Sequence, residues 1–490
     1  MLQKRTEILL SSIYFWLFIY LITVVIQFIY VNYMASVDES VFGVIGRGIL
    51  EGKLPYGDFF DHKPPGIHLV AASVLWMSDS LLALRISVII TNLISSLLII
   101  LLVNEVFPDN RRMGMIAAIL FLGSTVFYEG IWFLTEVFMV PFLLLFALFF
   151  LRGVRKGDNR FLFIAGISLG IASQFKQVGI LYAIPVPFIF LYLYLGERSK
   201  DAFSKNLFSF VAFALGFLTV MILVMATFAG LGLFDEYYIN VWSSNSNYVV
   251  GPSIGIFENI KGYYVNDLAY LAIWVPIIVG CGLLGRDILK RNISSKNRVL
   301  GFILLLALVG LSTLLIRQYK HYMIVALPFL AVFCAYYMDD WLDFKITWGN
   351  LKKAAVLILS FVIIFQFVFF VGKPFKTTAY RQEMIDYIKE HVDENRTIMM
   401  LKDPTYYFTC DLPPPDENIY YFSVNHNLTW NAQSLINTTQ QGYVQYVIIG
   451  KGYADTIRET PDHPLNPVIL YLDANYMTYE YYEGYNVYEV

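Results

Sequence analysis

Between Tyr56 and Val70 the chain reads YGDFFDHKPPGIHLV. Asp58, Asp61, His62 and Lys63 stand almost side by side and run straight into apolar sequence. Charged groups so close to oily sequence are costly unless they stay hydrated or paired. Upstream lies an acidic pair, Asp38-Glu39. A lysine can hold a phosphate, and a carboxylate can take the proton of a nucleophile. Asp58, Asp61 and His62 also have the donor types and closeness for a divalent ion, although a hydrated turn accounts for them equally well. A divalent metal ion is therefore a candidate cofactor, with no metal assigned.

Composition says what must position these groups. The chain has 490 residues, is 57% hydrophobic and only 15% charged, against about 25% in soluble domains. Apolar runs long enough to cross a hydrocarbon core of about 30 Å recur from Leu9 to Val371. The expected fold is a polytopic α-helical membrane protein of about eleven transmembrane helices. The spans are expected at 9–33, 81–104, 113–128, 131–151, 161–175, 178–195, 206–231, 266–284, 299–316, 321–338 and 353–372. The net charge of −3 gives no reason for a nucleic-acid partner, and Cys281, Cys334 and Cys410 form no disulfide framework or metal spacing. The segment MLQKRTEILL reads as an anchor that starts inside, with no cleavage site after the first span.

Lysine and arginine gather in alternate loops: Lys4 and Arg5; Arg111 and Arg112; Arg152, Arg155, Lys156 and Arg160; Arg198, Lys200 and Lys205; Arg286 to Arg298; Lys345, Lys352 and Lys353. The positive-inside rule then places the N-terminus in the cytoplasm, with the first loop and the C-terminal region outside a cell membrane. Residues 1–372 form the transmembrane region, and its outer loop, 34–80, carries two interfacial helices. The first begins at Asp38 and ends by Gly52 and Pro55; the second is GIHLVAASVLWM, too short to span. Residues 373–490 are polar and read as a small extracytoplasmic α/β domain, with RQEMIDYIKEHV helical and RTIMML, NIYYF, YVQYVIIG and YNVYEV as strands. Asn427 and Asn437 begin N-x-T triplets there, which also arise by chance.

Other polar groups fall near the outer ends of spans. Thr135-Glu136 opens the fourth, where Glu136 is a candidate for orienting the acceptor or holding a metal; the plainer reading is a carboxylate bonded to a neighbouring helix. Lys176 reads as a snorkelling lysine. Arg317, Lys320 and His321 break the charge bias of the outer side, and an anionic lipid phosphate is a good reason for that. Asp38 suits the first turn of a helix as well as a base, and Glu39 suits a structural partner as well as a site residue.

An acidic pair after the first span, an interfacial helix, and KPP opening a second one resemble the GT-C glycosyltransferases. The nearer match is the dolichyl-phosphate-mannose protein mannosyltransferase-like group, which includes the lipid A aminoarabinose transferases; PYGDFFDHKPPG looks like the family's form of this loop. The resemblance covers most of the membrane region and is strongest between Asp38 and Gly66. It implies an inverting transferase that moves one sugar from a polyprenyl-phosphate donor to a protein, lipid or glycan acceptor on the outer face. It also implies Asp38 as general base, with Lys63 near the donor phosphate. Many relatives carry tyrosine where this chain has Phe42.

The rival expectation is a transporter or flippase of lipid-linked sugars, which calls for inverted repeats and midplane charges that the sequence lacks. An oligosaccharyl transferase is a second rival, but its WWDYG-type motif is absent.

Overall fold

The computed structural model describes residues 13–28, 31, 35–108, 110–245, 282, 285, 295–315, 319–342, 378–421, 430–481 and 484–490. The helices in chain order are α1 (Ile13–Gln27), α2 (Val37–Leu50), α3 (Gly66–Met77), α4 (Leu81–Val106), α5 (Arg111–Phe127) and α6 (Thr135–Lys156). There follow α7 (Asn159–Ser173), α8 (Pro185–Glu197), α9 (Lys200–Gly230), the short α10 (Phe234–Tyr238), α11 (Ser295–Ser312) and α12 (Leu327–Leu342).

The chain forms two compact units. The first holds Met1–Val31, Arg85–Ala226 and Pro252–Gly372; the second holds Asn32–Leu84, Thr227–Gly251 and Lys373–Val490.

Helices occupy the expected spans through 206–231, and again at 299–316 and 321–338. The spans expected at 266–284 and 353–372 lie outside the described residues, apart from Gly282. Two expected spans open on a 3-10 turn instead of an α-helix. Gln177–Ala183 is a 3-10 turn ahead of Pro185, and Lys320–Met323 is a 3-10 turn ahead of Leu327-Pro328. Proline suits the first turn of a helix, where its missing N–H is not needed: Pro185 is the first residue of α8 and Pro328 the second of α12. Among the described residues, Leu81–Val106, Thr135–Lys156, Gln177–Glu197 and Lys200–Gly230 are long and apolar enough to cross a membrane.

Charge marks the two ends of the first unit. Arg152 and Arg155 pair with Glu105, and Arg112 pairs with Asp339. At the opposite helix ends, α6 opens with Glu136 in its first turn and closes on Arg155 and Lys156, which suits the helix dipole at both termini.

In the second unit α2 begins at a capping box. Ser36 Oγ accepts from Glu39 N at 3.3 Å, and Glu39 Oε2 accepts from Ser36 N at 2.8 Å. This pairing satisfies two orphan amides at the helix start. The C-terminal segment runs α13 (Thr378–His391), β1 (Thr397–Met400), α14 (Thr405–Thr409), α15 (Ala432–Thr439), β2 (Val444–Gly450), α16 (Lys451–Arg458), α17 (Asn466–Asn475), β3 (Thr478–Tyr481) and β4 (Tyr485–Glu489). The sheet order is β1-β2-β4-β3, with β1 and β2 parallel and the other pairs antiparallel. Its core gathers Met399, Val447, Ile449, Leu472 and Tyr488. The sequence pattern did not single out β3. NIYYF is not a strand over its described residues: Asn418 bridges Phe60, and Phe60 N donates to Glu417 O at 2.7 Å.

Candidate functional site

The loop from Leu54 to Gly66 is fixed by its polar side chains. Asp58 is exposed, and its Oδ2 accepts from Leu54 N at 2.7 Å, closing the first turn. Tyr56 adopts φ 70, a left-handed conformation unusual for a tyrosine. Its ring packs against Phe228 and Tyr237 at centroid distances of 5.1 and 5.6 Å, and its hydroxyl donates to Lys63 O at 2.7 Å. Asn245 Nδ2 donates to His62 O at 2.8 Å. The backbone at His62 and Lys63 is thus pinned from two directions.

Asp61 is buried, with two hydrogen-bond partners and with His62 Nδ1 3.5 Å from its Oδ1. His68 Nε2, on α3, lies 2.7 Å from Oδ2, and the Tyr420 hydroxyl donates to Oδ1 at 2.8 Å. Burial acts to raise the Asp61 carboxyl. The hydrogen bond of His68 and the positive charge gathered around the carboxyl outweigh it and hold the carboxyl at about 2. Burial first, then the charge and hydrogen bond of Asp61 and the charge of Asp38, push the Tyr420 phenol well above its ordinary value. Tyr420 therefore keeps its proton at any ordinary pH. The Tyr420 oxygen also lies 2.9 Å from His62 Nδ1, and His62 Nε2 lies 2.8 Å from Lys63 Nζ.

Asp38 sits in the first turn of α2, half-buried. Among the described residues it makes no hydrogen bond or ion pair, yet its charge acts on Tyr420. Asp38 and Lys63 are therefore both tied to the same phenol, one through its charge and one through the His62 ring. Glu39 is fully buried in the capping box, so it has a structural task that Asp38 lacks. Phe42 is buried in contact with the His68 ring, at a centroid distance of 5.9 Å.

Of the candidate ligand set, Asp61 and His62 come together, with His62 Nδ1 3.5 Å from Asp61 Oδ1, while Asp58 stands apart, closing a turn. Among the described residues no three His, Cys, Asp or Glu side chains form a group that could hold a metal ion.

The first unit carries a second polar cluster. Glu136 is buried; it accepts from Thr135 Oγ1 at 2.9 Å and pairs with Lys176 Nζ. Lys176 is itself buried, with Nζ 3.4 Å from the Tyr322 ring centroid. It is an internal ion-pair partner and not the snorkelling lysine expected. His321 Nδ1 lies 2.8 Å from Glu129 Oε2, and its Nε2 is 3.9 Å from Glu136 Oε1. Its two nitrogens thus face carboxylates, which is poor company for a phosphate. Lys320 is half-buried beside it, and Arg317 lies outside the described residues. Arg85, fully buried over the Trp132 ring at 4.2 Å, escaped the sequence reading. So did His68 and Tyr420. Of these, His68 had a usable signal: it lies one helical turn and a proline pair beyond Asp61.

Residues 61–225 match the family described as dolichyl-phosphate-mannose-protein mannosyltransferase. No curated protein matches the chain in sequence. Among solved structures, ArnT from Cupriavidus metallidurans bound to undecaprenyl phosphate is 11% identical, with a TM-score of 0.64 over 97% of this chain and 98% of that one. The apo state of ArnT from the same organism gives 12% identity and a TM-score of 0.63, covering 98% of each chain. The archaeal oligosaccharyltransferase AglB from Archaeoglobus fulgidus, in complex with an inhibitory peptide and a dolichol-phosphate, is 12% identical, with a TM-score of 0.51 over 95% of this chain and 73% of that one. Over most of its length the chain shares the GT-C fold of ArnT and AglB, and over residues 61–225 it resembles the mannosyltransferase family in sequence.

Proposed function

We propose that the protein transfers a single sugar from a polyprenyl-phosphate donor to an acceptor on the outer face of a cell membrane, with inversion at the anomeric carbon. The observation that carries this reading is that two charged groups are tied to one buried phenol: the charge of Asp38 acts on Tyr420, and Lys63 reaches it through the His62 ring. ArnT and AglB were each solved with a polyprenyl-type phosphate, and that chemistry is carried here to this chain.

In this reading Lys63 holds the donor phosphate. Asp38 takes the proton of an acceptor hydroxyl as its oxygen attacks the anomeric carbon opposite the phosphate. The bond from that carbon to the phosphate oxygen breaks, and the polyprenyl phosphate leaves with the electron pair. The Lys63 ammonium stabilises the charge that develops on it. The N-terminus is cytoplasmic, and 373–490 lies on the side where the chemistry occurs. Transport is the weaker reading, because Glu136 and its partners belong to helix ends, not to midplane breaks.

Membranes containing the protein, incubated with radiolabelled polyprenyl-phosphate sugars, should pass label to an acceptor. Purified Asp38→Asn should bind the lipid donor while transfer falls by about 10²–10⁴-fold. Full transfer by that variant overturns the assignment of the base.

A further inference from the structure

We propose that Tyr420 is a positioning residue for Lys63: together with Asp61 and His68 it holds His62 as the neutral Nδ1–H tautomer, whose bare Nε2 fixes the Lys63 ammonium in place. The inference rests on the reading of Lys63 as the donor-phosphate ligand.

The direction of each hydrogen bond follows from the two ends of the chain of groups. An ammonium has only protons to give, so His62 Nε2, 2.8 Å from Lys63 Nζ, must offer its lone pair. A neutral imidazole then carries its proton on Nδ1 and donates to the Tyr420 oxygen at 2.9 Å. At the other end an ionised carboxylate can only accept. Asp61 takes the single Tyr420 proton at 2.8 Å and the His68 Nε2 proton at 2.7 Å. No link can be reversed without setting N–H against ammonium or a lone pair against a carboxylate.

Tyr420, Asp61 and His68 are all buried, so this end of the relay is rigid and dry, whereas His62 and Lys63 are partly exposed. The backbone of His62 and Lys63 is held separately, by Asn245 and Tyr56. What Tyr420 adds is the orientation and tautomer of the ring. It comes from the C-terminal segment, which thereby supplies one hydroxyl to the binding machinery.

The test measures binding of undecaprenyl phosphate to the full chain in lipid nanodiscs. Tyr420→Phe should weaken it about tenfold, the scale of one hydrogen bond to a charged network. Lys63→Met should weaken it at least as much. The double variant should bind no worse than Lys63→Met alone, because a residue acting through Lys63 has nothing left to position. Tyr421→Phe removes a neighbouring hydroxyl that bonds to Asp416 and should leave binding unchanged. If Tyr420→Phe does not fold, His62→Phe carries the same expectation.

Wild-type binding by Tyr420→Phe, or a loss that adds to that of Lys63→Met, overturns the inference. If Tyr421→Phe weakens binding as much, the effect is general loosening of the segment and the inference fails. If Lys63→Met binds like wild type, the phosphate role of Lys63 fails first.

Discussion

Two buried carboxylates show how differently one residue type can be held. Glu136 is paired with Lys176, and both are withdrawn from solvent. Removing one member of such a pair leaves an uncompensated buried charge and costs about 3–5 kcal/mol. Lys176→Met should therefore lower the thermal stability of the purified protein sharply, and adding Glu136→Gln should restore most of the loss. An unchanged melting temperature in Lys176→Met would mean that the pair does not form. Asp61 answers to pH. Its folded pKa, about 2, lies below the ordinary carboxylate value. The stability it contributes is present above about pH 4 and is lost as pH falls through about 2. Melting temperature between pH 5 and 2 should fall less steeply in Asp61→Asn than in wild type. Aspartate, histidine and lysine types were legible in DHKPP, but their roles were not. A metal trio and a hydrogen-bonded relay use the same donors, and only the turn geometry and the approach of Tyr420 separate them.

At the scale of elements, apolar period and helix stops were good guides where one helix answers to its own sequence. GIHLVAASVLWM is helical over the residues expected, Gly66–Met77. The adjacent tyrosines of NIYYF were misleading, because both Tyr420 and Tyr421 are buried to place hydroxyls on Asp61 and Asp416 and not to line a sheet. Helix pairing was hidden altogether. A Cβ on Gly166 would come within 2.0 Å of Phe213 O, and one on Gly216 within 2.0 Å of Phe163 O. Helices α7 and α9 thus cross on reciprocal glycines, backbone against backbone, the close approach that small residues allow in a membrane. Each backbone contact is rigid, so Gly216→Ala must push the helices apart at a cost of about 1–3 kcal/mol. Gly196, on α8, has open space around its Cβ position. Gly196→Ala should leave the melting temperature in place while Gly216→Ala lowers it; equal effects would mean that the crossing is looser than described.

At the scale of the molecule, positive charge and hydropathy outline a membrane protein, but they cannot show which segments assemble. The second unit joins three stretches far apart in the chain, and its Asn32–Leu84 stretch and C-terminal segment share an interior. Phe408, on α14, fills the groove that Gly43 leaves on α2: a Cβ there would sit 2.5 Å from its ring. Arg47 covers the same ring at 4.1 Å and donates to Phe408 O at 2.8 Å, while pairing with Asp79 and Asp411. Further along, Tyr420 closes over Asp61. An independently folding appendage would leave none of these contacts behind when removed. Truncation after Gly372 should therefore expose α2, the Leu54–Gly66 loop and α3 together. Limited proteolysis of the truncated protein in nanodiscs should cut between Glu51 and Pro65, where the full chain resists, and undecaprenyl phosphate binding should fall with it. If the truncated chain stays protected there and binds as before, the loop stands without the C-terminal segment, and Tyr420 has no part in holding Lys63.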